Sequence, residues 1–239
     1  MQKERRYHIT KTLLEEYQKY AFENSSELLA EASELLQKKY YSRAYFMGCA
    51  SLEETGKGYL AFSSKGRNLR SPSVQHTIKE KFEDHSAKII SALIGLLRQK
   101  GLTEKNLEYI IKLSVDLKHG REKAMYVDIR ENGTVTLPRN IIRPIAAFNC
   151  VRLAKDSFDA TIKYISSNPP DNFSSFHDKM LCINSNKLKK LMNNVDFWKY
   201  YIDMLKNNSS ADFVKAIVKY HDEFYCKGTT FSGKSENNS

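Results

Sequence analysis

The spacing of the apolar residues is what most restricts this chain. Leu13, Leu14, Tyr17, Tyr20, Ala21, Leu28, Leu29, Ala32 and Leu35 recur every three to four positions, as on one face of a helix. Later segments repeat the pattern, and only five prolines and ten glycines interrupt 239 residues. An all-α protein follows. The periodicity predicts helices over residues 10–37, 41–62, 74–99, 104–119, 143–166, 186–206 and 211–225. The first is expected to break near Ser25 or Ser26, and Thr103 to cap the fourth. The segment "AMYVDIRENGTVTLP" alternates and contains Asn-Gly, a short-range hairpin signal. A two-stranded excursion is expected near 126–137.

The segment "SSNPPDNFSS" is the clearest linker. A helical-bundle domain is therefore expected over 1–167. A C-terminal helical extension packed on it should cover 168–226, and a disordered tail 227–239.

Lys and Arg exceed Asp and Glu by 38 − 28 = 10. That surplus suits an anionic partner such as nucleic acid, though a lysine-rich solvated surface accounts for it equally well. Cys49, Cys150, Cys182 and Cys226 form no C-x-x-C pair and read as reduced thiols of an intracellular, cytoplasmic protein. The charged N-terminus "MQKERRYHIT" does not resemble a signal peptide, and no apolar run is long enough to span a membrane. There is no P-loop, G-x-S-x-G or H-E-x-x-H, and the Glu-x-x-His pairs of di-iron bundles are absent. No metal or cofactor is expected.

Local rules fail most clearly in "SLEETGKGYL", residues 51–60. At 100° per residue, Tyr45, Phe46, Cys49, Leu52 and Leu60 share one side of the second helix. Glu53 falls in the middle of that side, with Gly56 and Lys57 beside it, while Glu54 and Thr55 point elsewhere. A buried carboxylate is costly unless paired, and an interior helical glycine costs about 1 kcal/mol relative to alanine. The third helix places His85 on its stripe with Lys88 three residues on. The fourth points Ser114, then Lys118 or Arg121, along its inner line. Convergence of these groups is the economical expectation. Two readings follow. One is a structural ion network, with Glu53 paired to Lys57 and Arg121 and with His85 nearby. The other is a phosphate or RNA site, in which cations bind and His85 or Glu53 moves a proton. The cluster "DFWKYY" reads as core packing rather than a base-stacking platform.

The segment "YYSRAYFMGCASLEETGKGYLA" resembles the signature helix of the AbiV abortive-infection family, within the HEPN superfamily. "FEDHSAKI" is similar to its H-x-x-K helix and "LKHGREKAMYVDI" to its R-x-x-x-L-Y-V-D segment. The three stand in family order and span roughly residues 27–165. The resemblance implies an HEPN-like antiparallel bundle, commonly a homodimer. It also implies a bacterial antiphage role, triggered by a phage protein and acting on RNA or translation at the cost of the infected cell. Many superfamily members are metal-independent ribonucleases with Arg-x4-6-His. Here Arg121 stands where that Arg belongs, but Tyr126 and Asp128 stand where the His would be. The divergent catalytic set implied is Glu53, His85, Arg121, Tyr126 and Asp128, with Arg43, Lys57, Lys88 and Lys118 as binding residues. A nuclease and a non-enzymatic module that binds a phage protein both remain open.

Overall fold

A computed structural model describes residues 7–100, 104–208 and 211–232, with side chains described outside 99–111. Among the described residues the protein is all-α apart from one two-stranded ribbon. It divides into two compact units, Met1–Gly66 with Ile78–Asp171, and Arg67–Thr77 with Asn172–Ser239.

The first unit begins with an αα-hairpin. α1 (Lys11–Gln37) is capped by Thr10, whose hydroxyl accepts from the Leu13 N–H. It runs on into a tight turn before α2 (Tyr41–Ser64). The turn is closed by the N–H of Lys39 donating to the Leu36 carbonyl at 3.0 Å and that of Tyr40 to Leu35 at 2.8 Å, a Schellman pattern. α1 does not break at Ser25. That residue is fully buried, and its hydroxyl faces α2, 2.9 Å from the Ser51 carbonyl and 2.8 Å from Thr55 Oγ1. Ser25 thus belongs to an interhelix seam and is not a cap.

α2 is the central helix and, among the described residues, packs against five other helices. Thr55 and Gly58, which point away from Glu53, are consequently buried too, against α1. The expected third helix is two, α3 (Pro72–Glu83) and α4 (His85–Lys100). The break is at Asp84, whose carboxylate accepts from the Ser86 N–H at 2.8 Å and so caps α4. The unit boundary lies inside α3. α5 (Glu104–Met125) runs past its expected end at 119. Ser114 and Leu117 are buried as expected, while Thr103 and the side chains of Leu107, Ile110 and Ile111 lie outside the described residues. The ribbon pairs β1 (Asp128–Ile129) with β2 (Val135–Thr136). A single unforeseen turn, α6 (Pro138–Ile141), precedes α7 (Pro144–Ser167), which starts on its proline.

The core of this unit joins Cys49 and Leu52 of α2, Ile89 and Leu93 of α4, Leu117 of α5, and Ala147, Cys150 and Ala154 of α7. Cys49 and Cys150 are free thiols with sulfurs 3.6 Å apart. Burial, and then the Cys150 contact, pushes the Cys49 thiol well above its ordinary pKa, which leaves it an inert packing group.

The second unit holds α8 (Ser175–Cys182), α9 (Ser185–Met192), α10 (Val195–Asn207), α11 (Phe213–Glu223) and a 3-10 turn at Tyr225–Lys227. α8, which the periodicity does not predict, begins at the last residue of the stretch read as linker. The helix expected over 186–206 is broken before α10, where Asn194 caps through the Asp196 N–H at 2.9 Å. Residues 67–77 join this unit because Asp178 of α8 accepts from Arg67 Nη1 and from the Asn68 N–H, both at 3.0 Å. Phe197 and Tyr200 of "DFWKYY" are buried in its aromatic core with Tyr220 and Phe224. The expectation of a disordered tail from 227 is corrected as far as Ser232. Asp196 accepts from the Phe231 N–H at 2.6 Å, and from the Ser232 N–H and hydroxyl at 3.0 and 2.6 Å. Residues 233–239 lie outside the described residues.

Candidate functional site

Three helices deliver the polar cluster. α2 supplies Glu53, the first turn of α4 supplies His85 and Lys88, and the last turns of α5 supply Arg121. Two glycines allow the approach. The carbonyl of Lys88 occupies the space a Cβ on Gly56 would need, so α4 starts in direct contact with α2. The hydroxyl of Tyr45 does the same at Gly120, letting α5 close on α2 next to Arg121.

The Glu53 side chain is almost fully buried, 7% exposed, and its ion-pair partners among the described residues are His85, Lys88 and Arg121. Oε2 lies 2.7 Å from His85 Nδ1 and 3.2 Å from Lys88 Nζ. Oε1 lies 3.0 Å from Arg121 Nε. That last N–H is not aligned on the oxygen, so it is an ion contact in which both buried atoms lack a hydrogen-bond partner among the described residues. An ionised carboxylate only accepts, so His85 donates its Nδ1–H. The acceptor position Nε2 is left on a ring whose side chain is 46% exposed. The Lys88 side chain is 6% exposed and that of Arg121 25%. Two cations against one carboxylate leave a surplus positive charge in the cluster, and Arg121 is the more exposed of the two. The Arg121 guanidinium also sits over the Phe46 ring, 5.4 Å from its centroid.

Of the residues singled out from the sequence, Glu53, His85, Lys88 and Arg121 come together. Lys57 does not join them. It pairs with Glu54 at 2.6 Å instead of Glu53, because the i+3 carboxylate lies on its own, more exposed side of α2. Lys118 and Arg43 are exposed. Tyr126 and Asp128 are also exposed, and no hydrogen bond or ion pair joins either to the cluster among the described residues. Asp128 instead accepts from the Ile129 N–H at 2.9 Å. Three contributors escape the sequence reading. Phe46 reads only as a core residue, Asp84 sets the start of α4, and Gly120 admits Tyr45. An interior helical glycine beside a charged residue was the available signal for Gly120, as it was for Gly56.

The AbiV family model matches residues 13–159, more than half of the chain and a span that includes every member of the cluster. The chain belongs to the AbiV family. It is thereby an abortive-infection, antiphage-defence protein of the HEPN superfamily, and its helical architecture agrees. The AbiV match ends inside α7, so α8 to α11 lie beyond it. No curated protein and no solved structure matches the chain. Among the described residues no helix is long and apolar enough to cross a membrane.

Proposed function

We propose that this AbiV protein acts on RNA in the infected cell through the Glu53 cluster. The observation that carries the reading is His85 held by a buried carboxylate between two cations. Glu53 sets the imidazole tautomer and orientation, so Nε2 can accept a proton. In metal-independent cleavage that proton comes from a ribose 2′-hydroxyl. The freed 2′-oxygen attacks the adjacent phosphorus and the 5′-oxygen leaves with a proton returned by the imidazolium, giving a 2′,3′-cyclic phosphate and a 5′-hydroxyl. Arg121, partly exposed beside His85, is suited to the charge that develops on the phosphate. The test is total RNA incubated with the pure protein in EDTA. Cleavage lost in Arg121→Ala and His85→Ala, with both variants folded, is the expected result. An inert wild-type protein counts against the enzyme.

A second reading rests on the ribbon. Tyr126, Val127, Ile129 and Val135 are 58–69% exposed, an apolar surface of the kind that meets another protein. On this reading the ribbon contacts a phage-encoded trigger or a second copy of the chain. Light scattering at micromolar concentration, before and after Ile129→Lys, separates a homodimer held there from a monomer.

A further inference from the structure

A groove of about 1050 Å3 lies in the first unit, between the α1–α2 turn and the junction of α5 with α6. Its volume is at the upper end of small-ligand sites, about 300–1,000 Å3. Lys39, Arg43 and Arg139 line it, and none forms an ion pair among the described residues. Of the two acids at its edge, Glu34 is engaged by Lys38 at 3.6 Å. Glu31 alone faces three cations. Aromatic surface stands between the charges. Tyr40 is 56% exposed at the lip, and Tyr41 and Phe46 lie further in.

Backbone geometry adds a separate observation. Lys39 has φ 61°, in the left-handed region. It occupies the residue just past the end of α1, where glycine is the usual choice and a lysine is strained. A lysine there stabilises nothing in the turn, since both turn hydrogen bonds are made by backbone groups. It does add a cation at the mouth of the groove. Strain kept at one residue points from conformation to function. Phe46 lines the groove while Arg121 covers its ring, so one aromatic ring is shared by the groove and the Glu53 cluster.

We propose that this groove binds a nucleotide, its base stacked on Tyr40 and its phosphate held by Lys39, Arg43 and Arg139. Aromatic faces interleaved with cations suit this chemistry, because every base has a π-face and every linkage a negative charge. The nucleotide is either free in solution or one unit of an RNA strand. The binding stands apart from the reaction proposed above, since it requires no proton transfer at His85.

The test uses the full chain with two probes, AMP by calorimetry and a fluorescent six-residue oligoribonucleotide by anisotropy. Tyr40→Ala should weaken binding by about fivefold or more, the low end of a lost base stack. Lys39→Gly should weaken it as well, flatten the salt dependence of oligonucleotide binding by about 0.7 in log–log slope, and leave the melting temperature equal or higher. Arg121→Ala should retain binding within about twofold while any cleavage is lost, so failure of the groove and failure of the reaction centre are read separately. AMP binding that competes with the oligonucleotide assigns the free nucleotide. Oligonucleotide binding alone, lost in Lys39→Gly, assigns the strand. If neither probe binds, or if binding is unchanged in both Lys39→Gly and Tyr40→Ala, the proposal is overturned.

Discussion

A Cβ added to Gly56 would overlap the carbonyl oxygen of Lys88. This one approach between α2 and α4 brings His85 and Lys88 onto Glu53. Gly56→Ala gains about 1 kcal/mol of helix propensity, but the atom it must displace is backbone. The two helices must part, and overpacking of this kind costs about 1–3 kcal/mol or more. A net loss of stability in urea unfolding, with loss of phage protection, is expected. Gly58→Ala meets the Phe22 ring instead. A side chain yields more easily than backbone, so the loss there should be smaller.

Glu53→Gln tests how the cluster is held. A water-filled site would absorb the change, since solvent would screen the cations it leaves behind. The Lys88 ammonium, however, is buried beside the carboxylate. Removing the partner of a buried charge typically costs about 3–5 kcal/mol, so a fall of about 3 kcal/mol is expected. Adding Lys88→Met, which keeps the apolar stem and removes the orphaned charge, should recover much of it. A single variant as stable as the wild type would show that the ion contacts hold nothing together.

The seam between α1 and α2 gives a third expectation. Ser25→Ala removes a hydroxyl shared with the Ser51 carbonyl, Ser51 Oγ and Thr55 Oγ1, all buried. Leaving those groups short of a partner costs about 1–3 kcal/mol, measurable as a lower melting temperature. Ser26→Ala, on the exposed side, should change nothing.

In the second unit, Asp196 makes stability depend on acid. Burial raises its pKa, but hydrogen bonds from the Ser232 hydroxyl, the Tyr220 hydroxyl and the Phe231 and Ser232 N–H groups prevail and bring it down to about 2, from an ordinary 3.8. A depressed carboxylate contributes stability that is complete above its unfolded pKa and disappears as pH falls through the folded one. The second unit should therefore lose about 1–2 kcal/mol, after allowance for solvent screening, between pH 4 and pH 2. Asp196→Asn should be weaker at neutral pH and should lack that acid step. Thermal unfolding monitored by Trp198 fluorescence across this pH range checks both.

Helical class, the ribbon, and the identity of Glu53 and Lys88 as polar residues on inward faces were legible in residue order, with Arg121 as an alternative to Lys118. Each depends on spacing along one helix, or on a short turn motif, and such periodicity is local. His85 is expected on the same inward stripe as Lys88, but its side chain is 46% exposed and reaches the cluster through Nδ1. Local signals also misled. Ser25 has the chemistry of a helix cap, yet α1 runs through it because the hydroxyl finds better partners on α2. Lys57 is four residues from Glu53, the right interval for a pair, but Glu54 takes it.

Tertiary structure decided what no single helix encodes: which inward faces meet. Glu53 is buried with three basic neighbours because Gly56 and Gly120 let two other helices close on α2. Tyr126 and Asp128 stay outside because the chain leaves the bundle for the ribbon as α5 ends. Asp196 reaches forward to Phe231 and Ser232, which order in sequence alone would leave as tail. A hydrogen bond or ion contact acts over about 3 Å, whatever separation in the chain it joins. Periodicity shows which residues point inward, and only packing shows what they touch.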